Sequence, residues 1–365
     1  MKHLKITILV VILNFLFDNL FAQSFTKLDN IINEAIKDSI FPGAVVCVGD
    51  KDKIIYNKAY GNFTYDKDSP KVQLNTLFDL ASVTKAFCIT FCVMKLVDED
   101  KLDIDEYVYK YLPDFKCNGK EKVKIIDLLI HESGLQSYYT PLKEESRDKI
   151  LKTIVTLPLA YETNTESVYS CLNFVTMMMV IESIINKPVY EYYNTYFVNP
   201  LKMTRTFFNP KEELKNECSP TTPQLQGVVH DPLARALGGL SGNAGLFSTA
   251  EDMSKLCQLL LNEGTYNEKE YIDEGTIELF IERNSNSSSR ALGFDTRTET
   301  GYSSTGKLFN PGTYGHLGYT GTSIWIDPVK EIFVIFFTNR VYPDDKATIR
   351  EIRPKVHDAV MEALK

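Results

Sequence analysis

The sequence predicts a mixed α/β fold: an antiparallel sheet built from both chain termini and flanked by helices, with a large, mainly helical insertion. Three observations lead there. Residues 43–49 and 53–61 are β-rich runs separated by Asp50-Lys51-Asp52, which reads as a hairpin. Strand character returns only near the other end, at 322–326 and 331–338, with Asp327-Pro328 as the turn between them. From about 76 to 283 the apolar spacing is mainly helical.

Taken in order, the chain opens with Lys2 and Lys5, an apolar stretch over 6–17, and Ala22 before Gln23. A positive start, a short apolar run and a small residue before a polar one predict a secretory signal over 1–22, with an uncleaved anchor as the alternative. Helical spacing follows at 25–38 through Leu28, Ile31, Ile32, Ala35 and Ile36, before the first hairpin. Residues 83–97 predict a long apolar helix, 124–131 a short one and 173–185 another. At 249–262, Ser248 and Glu251 are placed as a capping box, with Gly264 as the stop. A last helix is expected at 348–364. The boundaries implied are a sheet region at 23–75 and 290–365 and a helical region at 76–289.

The chain has 365 residues, 44% hydrophobic, with a formal net charge of −8. That apolar share excludes a disordered or collagen-like chain. An acidic chain without a basic run or zinc-finger spacing lacks the footprint of a nucleic-acid binder. After the signal, no run of 18 apolar residues remains to cross a bilayer. The seven cysteines are odd in number and contain no Cys-x-x-Cys pair. They read as buried small hydrophobes, with one disulfide at most. No metal-ligand spacing joins His131, His230 and Asp231, and the glycines of 238–245 do not follow a strand in a βαβ unit. Neither a metal nor a cofactor is expected.

Ser82-Val83-Thr84-Lys85 is the leading candidate for chemistry. Residues three apart share a helix face, so Lys85 Nζ can approach Ser82 Oγ. Serine needs a neighbouring base, and burial makes lysine one by disfavouring its charge. From Lys85 the next charge is Lys95, so the helix is apolar on nearly every side and the amine is expected to be buried and neutral. The same spacing recurs at Ser24/Lys27, Ser146/Lys149 and Ser304/Lys307, in polar or unpatterned surroundings. The alternative for Ser82 is a helix cap whose lysine points outward. Tyr169 is a candidate proton shuttle, because a phenol near an ammonium ionises more easily. In Gly315-His316-Leu317-Gly318-Tyr319-Thr320-Gly321 the glycines let substrate approach a strand closely. The Tyr319 and Ser82 backbone N–H groups there can form an oxyanion hole.

Together these segments resemble the serine β-lactamase and penicillin-binding superfamily. The nearest likeness is its class C β-lactamase, D-Ala-D-Ala carboxypeptidase and serine esterase branch. The resemblance runs from about 41 to 361 through Phe41-Pro42-Gly43-Ala44, Phe78-Asp79-Leu80-Ala81-Ser82-Val83-Thr84-Lys85 and Leu128-Leu129-Ile130-His131-Glu132-Ser133-Gly134-Leu135. It continues through Gly238-Gly239-Leu240-Ser241-Gly242-Asn243-Ala244-Gly245-Leu246-Phe247-Ser248 and the run from Gly315 to Pro328. It implies a β-lactamase/transpeptidase-like fold, with Ser82 as acylated nucleophile, Lys85 as its activating partner and Tyr169 as shuttle to the leaving group. Cys171, His316 and Gly318 fall on substrate-binding positions. Cys171 stands where the class C enzymes carry Asn, and a thiol is a weak hydrogen-bonding substitute. His316 replaces a frequent Lys, and imidazole is a weaker carboxylate anchor than a permanent ammonium. The expectation is an exported, periplasmic or extracellular serine hydrolase. It would act on D-Ala-type peptides or amides, such as a peptidoglycan stem peptide, or on small esters. The alternatives are an impaired protein that binds cell-wall peptides and a true class C β-lactamase.

Overall fold

The computed structural model describes residues 25–285 and 288–365; the expected signal over 1–22 lies outside the described residues. Its main sheet contains β1 (Gly43–Asp50), β2 (Ile54–Gly61), β8 (Asp295–Thr296), β9 (Tyr314–Leu317), β10 (Ser323–Asp327) and β11 (Ile332–Thr338). The order is β2-β1-β11-β10-β9-β8, antiparallel throughout. The expected hairpin is β1–β2. Strands from opposite chain ends meet directly where Ala44 opposes Thr338 and Asp50 opposes Ile332.

Period-two alternation divides the strand side chains between two cores. Ala44, Val46, Val48, Trp325, Val334 and Phe336 face α1 (Thr26–Lys37) and the last helix, Ile352–Ala363, meeting Leu28, Ile32, Val356 and Val360. Val45, Cys47, Ile324, Ile326, Phe333, Ile335 and Phe337 face the larger core. Both faces are therefore covered, and the strands read as nearly continuous apolar runs. The larger core holds a π-helical turn, Lys85–Thr90, that runs into α2 (Phe91–Asp98), with α3 (Ile125–Leu129) and α4 (Cys171–Ile185) around it. Side chains such as Phe87, Ile89 and Phe91 are wholly buried, and burying each contributes about 1.5–3 kcal/mol.

Three details depart from expectation. The insertion contains a small sheet of β3 (Phe78–Asp79), β4 (Phe207–Phe208) and β5 (Leu246–Ser248) in the order β3-β5-β4. A short ribbon, β6 (Thr265–Tyr266) with β7 (Lys269–Glu270), follows it. At the helix Ala250–Leu261, Thr249 is the cap and accepts the Asp252 N–H, because Ser248 is still in β5. All seven cysteines are free. None of the described helices is long and apolar enough to cross a membrane.

Candidate active site

The site begins where β3 ends. Leu80 N–H donates to Leu246 O at 2.9 Å, and Ala81 then turns into the left-handed region at φ 46°. That conformation is costly for a residue with a Cβ and is held here by Asp79, whose Oδ1 accepts the Ala81 N–H at 2.9 Å. Asp79 Oδ2 accepts the His230 N–H at 2.7 Å. Burial raises the Asp79 carboxyl to about 6. The turn presents Ser82 to a cavity, while Lys85, one turn on, has no exposed surface.

Lys85 Nζ donates to Ser82 Oγ at 2.9 Å and to the Asn243 carbonyl at 2.8 Å. It also lies 5.1 Å from the centroid of the Tyr169 ring. The Ser82–Lys85 contact expected from the sequence is thus formed. The neutral amine expected from burial is not. Burial disfavours its charge, but Cys171, Tyr169 and Asp231 outweigh burial and hold the Lys85 pKa above the ordinary lysine value. Burial also lifts Tyr169 above the ordinary phenol range, against the pull of Lys85. At neutral pH the resting pair is therefore an ammonium and a phenol.

The other recurrences of the Ser-x-x-Lys spacing have different fates. Ser146 caps a helix, accepting the Lys149 N–H at 3.3 Å. Ser304 is buried under the last helix, its carbonyl 2.7 Å from His357 Nδ1. Ser24 lies outside the described residues.

Cys171 opens α4 and lines a second lobe of the cavity with Ser82, Tyr169 and Tyr319. Asn173, two residues on, faces away into the core: its Oδ1 accepts from Ser133 Oγ at 2.6 Å and its Nδ2 donates to Leu128 O at 3.1 Å. The lysine is instead steadied by the main chain at Asn243, within the glycine-rich segment 238–245.

His316 ends up on β9, only 3% exposed, with Nδ1 2.7 Å from Leu317 O. That contact puts the proton on Nδ1. Burial lowers its pKa to about 4 even though Asp295 opposes the shift, so it is neutral at pH 7. Gly318 has a packing reason to be glycine. A Cβ there would meet Thr322 Oγ1 at 2.0 Å and Leu80 O at 2.5 Å. Its absence lets the β9–β10 turn lie against the chain just before Ser82, where Thr320 Oγ1 donates to Asp79 O at 2.7 Å and Thr322 Oγ1 to Leu80 O at 3.0 Å. Among the described residues, neither the Ser82 nor the Tyr319 backbone N–H has a hydrogen-bond acceptor.

Ser82, Tyr169, His316, Gly318 and Tyr319 all line one cavity of about 550 Å³, together with Arg340, Arg350 and Arg353. Sequence reasoning missed the arginines. Arg340 pairs with Asp345, and Arg350 stacks on Tyr302 at 4.3 Å. Arg353 is 9% exposed and donates from Nη2 to Gly318 O at 2.9 Å and Thr322 O at 3.0 Å. Its buried Nε has no acceptor among the described residues. Burial lowers its pKa to about 10, so it keeps its charge. The last-helix pattern marked an apolar face, and nothing in it singled out the arginine beneath the turn.

A model of the beta-lactamase family matches residues 28–357. The N-acetylmuramyl-L-alanine amidase of Bacillus subtilis (strain 168) is 34% identical, with 87% of this chain and 81% of that protein covered. A Salmonella gallinarum relative assigned by name to the D-alanyl-D-alanine carboxypeptidases is 31% identical, with 92% and 86% covered. Among solved structures, EstCE1, described as a hydrolase with promiscuous acyltransferase activity, superposes with a TM-score of 0.77 at 22% identity, covering 95% of this chain and all (100%) of that one. A penicillin-binding protein homologue from Caulobacter crescentus gives 0.78 at 16%, covering 93% and 97%. The structural likenesses show the same fold, and the matched family model with the two sequence relatives places the chain in the beta-lactamase family of serine hydrolases.

Proposed function

We propose that the chain is an exported serine hydrolase that forms an acyl-enzyme at Ser82 with D-Ala-type peptides or related peptidoglycan amides, and with small esters. The observation that carries this is the 2.9 Å contact between Lys85 Nζ and Ser82 Oγ at the cavity wall, beside Tyr169. Loss of one proton from the Lys85–Tyr169 pair provides a base. Ser82 Oγ then attacks the substrate carbonyl carbon as its proton passes to the pair. The carbonyl oxygen takes the negative charge and is met by the Ser82 and Tyr319 N–H groups. Collapse breaks the amide or ester bond, Tyr169 returns the proton to the departing nitrogen or oxygen, and water later hydrolyses the acyl-serine.

The names of the amidase and carboxypeptidase relatives favour amide donors from the cell wall. A free carboxylate on such a donor has a charged partner in Arg353. With its proton on Nδ1 and bound to Leu317 O, neutral His316 can only accept a hydrogen bond through Nε2, so it is a weaker carboxylate anchor than expected from the sequence. Cys171 beside the lysine favours slow turnover, the observation behind the reading as a peptide-binding protein.

The test is hydrolysis of a D-Ala-D-Ala peptide, a muramyl-alanine amide, a chromogenic cephalosporin and a p-nitrophenyl ester, by wild type and Ser82→Ala. Turnover of an amide or ester by the wild type alone supports the proposal. Acylation without turnover supports the binding protein, and equal turnover by both proteins rejects Ser82 as nucleophile.

A further inference from the structure

Tyr169 lies on a stretch, 166–170, with neither helix nor strand to hold it. Its ring must nevertheless stay fixed beside Lys85 if it is to relay a proton. One residue of another segment holds the chain on both sides of it. The His131 carbonyl accepts the Val168 N–H at 3.0 Å, and His131 Nδ1 accepts the Ser170 N–H at 3.0 Å. Between these two bonds the His131 ring packs on the Tyr169 ring, with centroids 4.6 Å apart and planes inclined by 37°.

The imidazole is itself fixed. Only 2% of His131 is exposed, and its other ring neighbour is Phe174 at 5.4 Å. Asn173 Nδ2, anchored on Leu128 O at 3.1 Å, approaches the same Nδ1 at 3.3 Å. A backbone N–H can only donate, so Nδ1 carries no proton and the neutral ring is protonated at Nε2. Burial, with the Arg290 and Lys85 charges nearby, keeps the ring neutral. The backbone at His131 is left-handed, φ 61°, a conformation that a non-glycine residue adopts only when its surroundings hold it.

We propose that His131 is a positioning residue for acyl transfer: it clamps Tyr169 between its carbonyl and its Nδ1 and fixes the phenol ring against Lys85. This rests on the place given to Tyr169 in the proposed reaction. Structural hydrogen bonding alone would not require both bonds to bracket the reacting residue or the ring to lie against it.

The test measures acylation by a p-nitrophenyl ester for His131→Ala and His131→Asn, each in wild-type and Tyr169→Phe backgrounds. Asn places an oxygen where Nδ1 stands and tolerates positive φ, so it keeps both backbone bonds and loses only the ring contact. In the wild-type background, His131→Ala should lower kcat about a hundredfold with KM changed less than about threefold, since proton relay contributes about 10²–10⁴-fold. His131→Asn should restore most of that loss. In the Tyr169→Phe background either change should cost less than about twofold, because the group being positioned is gone. The clamp is overturned if either loss persists undiminished in Tyr169→Phe, or if His131→Ala keeps the wild-type kcat. Should His131→Ala not fold, His131→Leu, which keeps bulk beside Tyr169 but offers the Ser170 N–H no acceptor, decides by the same criterion. A wild-type rate for Tyr169→Phe alone would remove Tyr169 from the reaction, and the clamp with it.

Discussion

Among the described residues, two lysines have no exposed surface, and their surroundings invite comparison. Lys85 donates to the Asn243 carbonyl and lies 5.1 Å over Tyr169; Lys120 donates to the Leu157 carbonyl at 2.5 Å and lies 5.1 Å over Phe115. Each follows a nucleophilic side chain by three residues, Ser82 in one case and Cys117 in the other. Cys117 also lines a groove, of about 640 Å³. Yet burial lowers the Lys120 pKa, with Cys117 only partly opposing it, whereas Lys85 is raised by Cys171, Tyr169 and Asp231. Burial sets the cost of a charge, and the neighbouring side chains decide which proton state meets that cost most cheaply. Lys85 has a phenol with which to share a proton; the ring beneath Lys120 is a phenylalanine. Spacing alone does not distinguish them.

The largest expected effect separates the two lysines directly. Lys85→Met should lower acylation by about 10²–10⁴-fold, while Lys120→Met should stay within about twofold. The latter change acts on stability, since the orphaned Leu157 carbonyl costs about 1–3 kcal/mol, read as a lower midpoint in urea. Comparable activity losses in both variants would erase the distinction.

The charge state gives the next effect. Because Lys85 is held above the ordinary lysine value, the Lys85–Tyr169 pair proposed to activate Ser82 is mostly fully protonated at pH 7. Its singly deprotonated form grows as pH rises. The acylation rate should therefore climb above neutrality, by up to about tenfold per unit for a single ionisation. Tyr169→Phe should change the position of that limb. A rate flat between pH 7 and 9 would mean that the amine is already neutral, as burial alone would have it.

A smaller effect is expected away from the lysines. Arg353→Gln should raise KM about tenfold for a donor bearing a free carboxylate, the size of one charge-assisted hydrogen bond. KM for an ester without a carboxylate should hardly change. Equal increases for both substrates would assign Arg353 to holding the β9–β10 turn through Gly318 and Thr322, not to recognition.

Ser82 and Lys85 were legible because their contact is local: three residues apart on a helix whose apolar run announces burial. The β1–β2 hairpin and the return of strand character after residue 320 were legible for the same reason, as short-range alternation. What decided the electrostatics was not local. Cys171 and Asp231 meet Lys85 only through the fold, so its charge could not be read from residues 82–97. The Asn243 carbonyl carries no side-chain signature, and Arg353 looks in sequence like one more charge on an amphipathic helix. Strands of two residues, such as β3 and β4, are too short for alternation to register. The cap was misplaced by one residue because Ser248 and Thr249 are both capable of it, and only the pairing of Ser248 with Phe78 in β5 settles which one serves.

The proposed chemistry requires that the polar contact at Ser82, and not the analogous spacing at Cys117, makes a nucleophile. Labelling with a fluorophosphonate, followed by peptide mapping, tests it most directly. One adduct is expected, on the peptide containing Ser82, absent in Ser82→Ala and unaffected by Cys117→Ala. An adduct that persists at the wild-type rate in Ser82→Ala would contradict it.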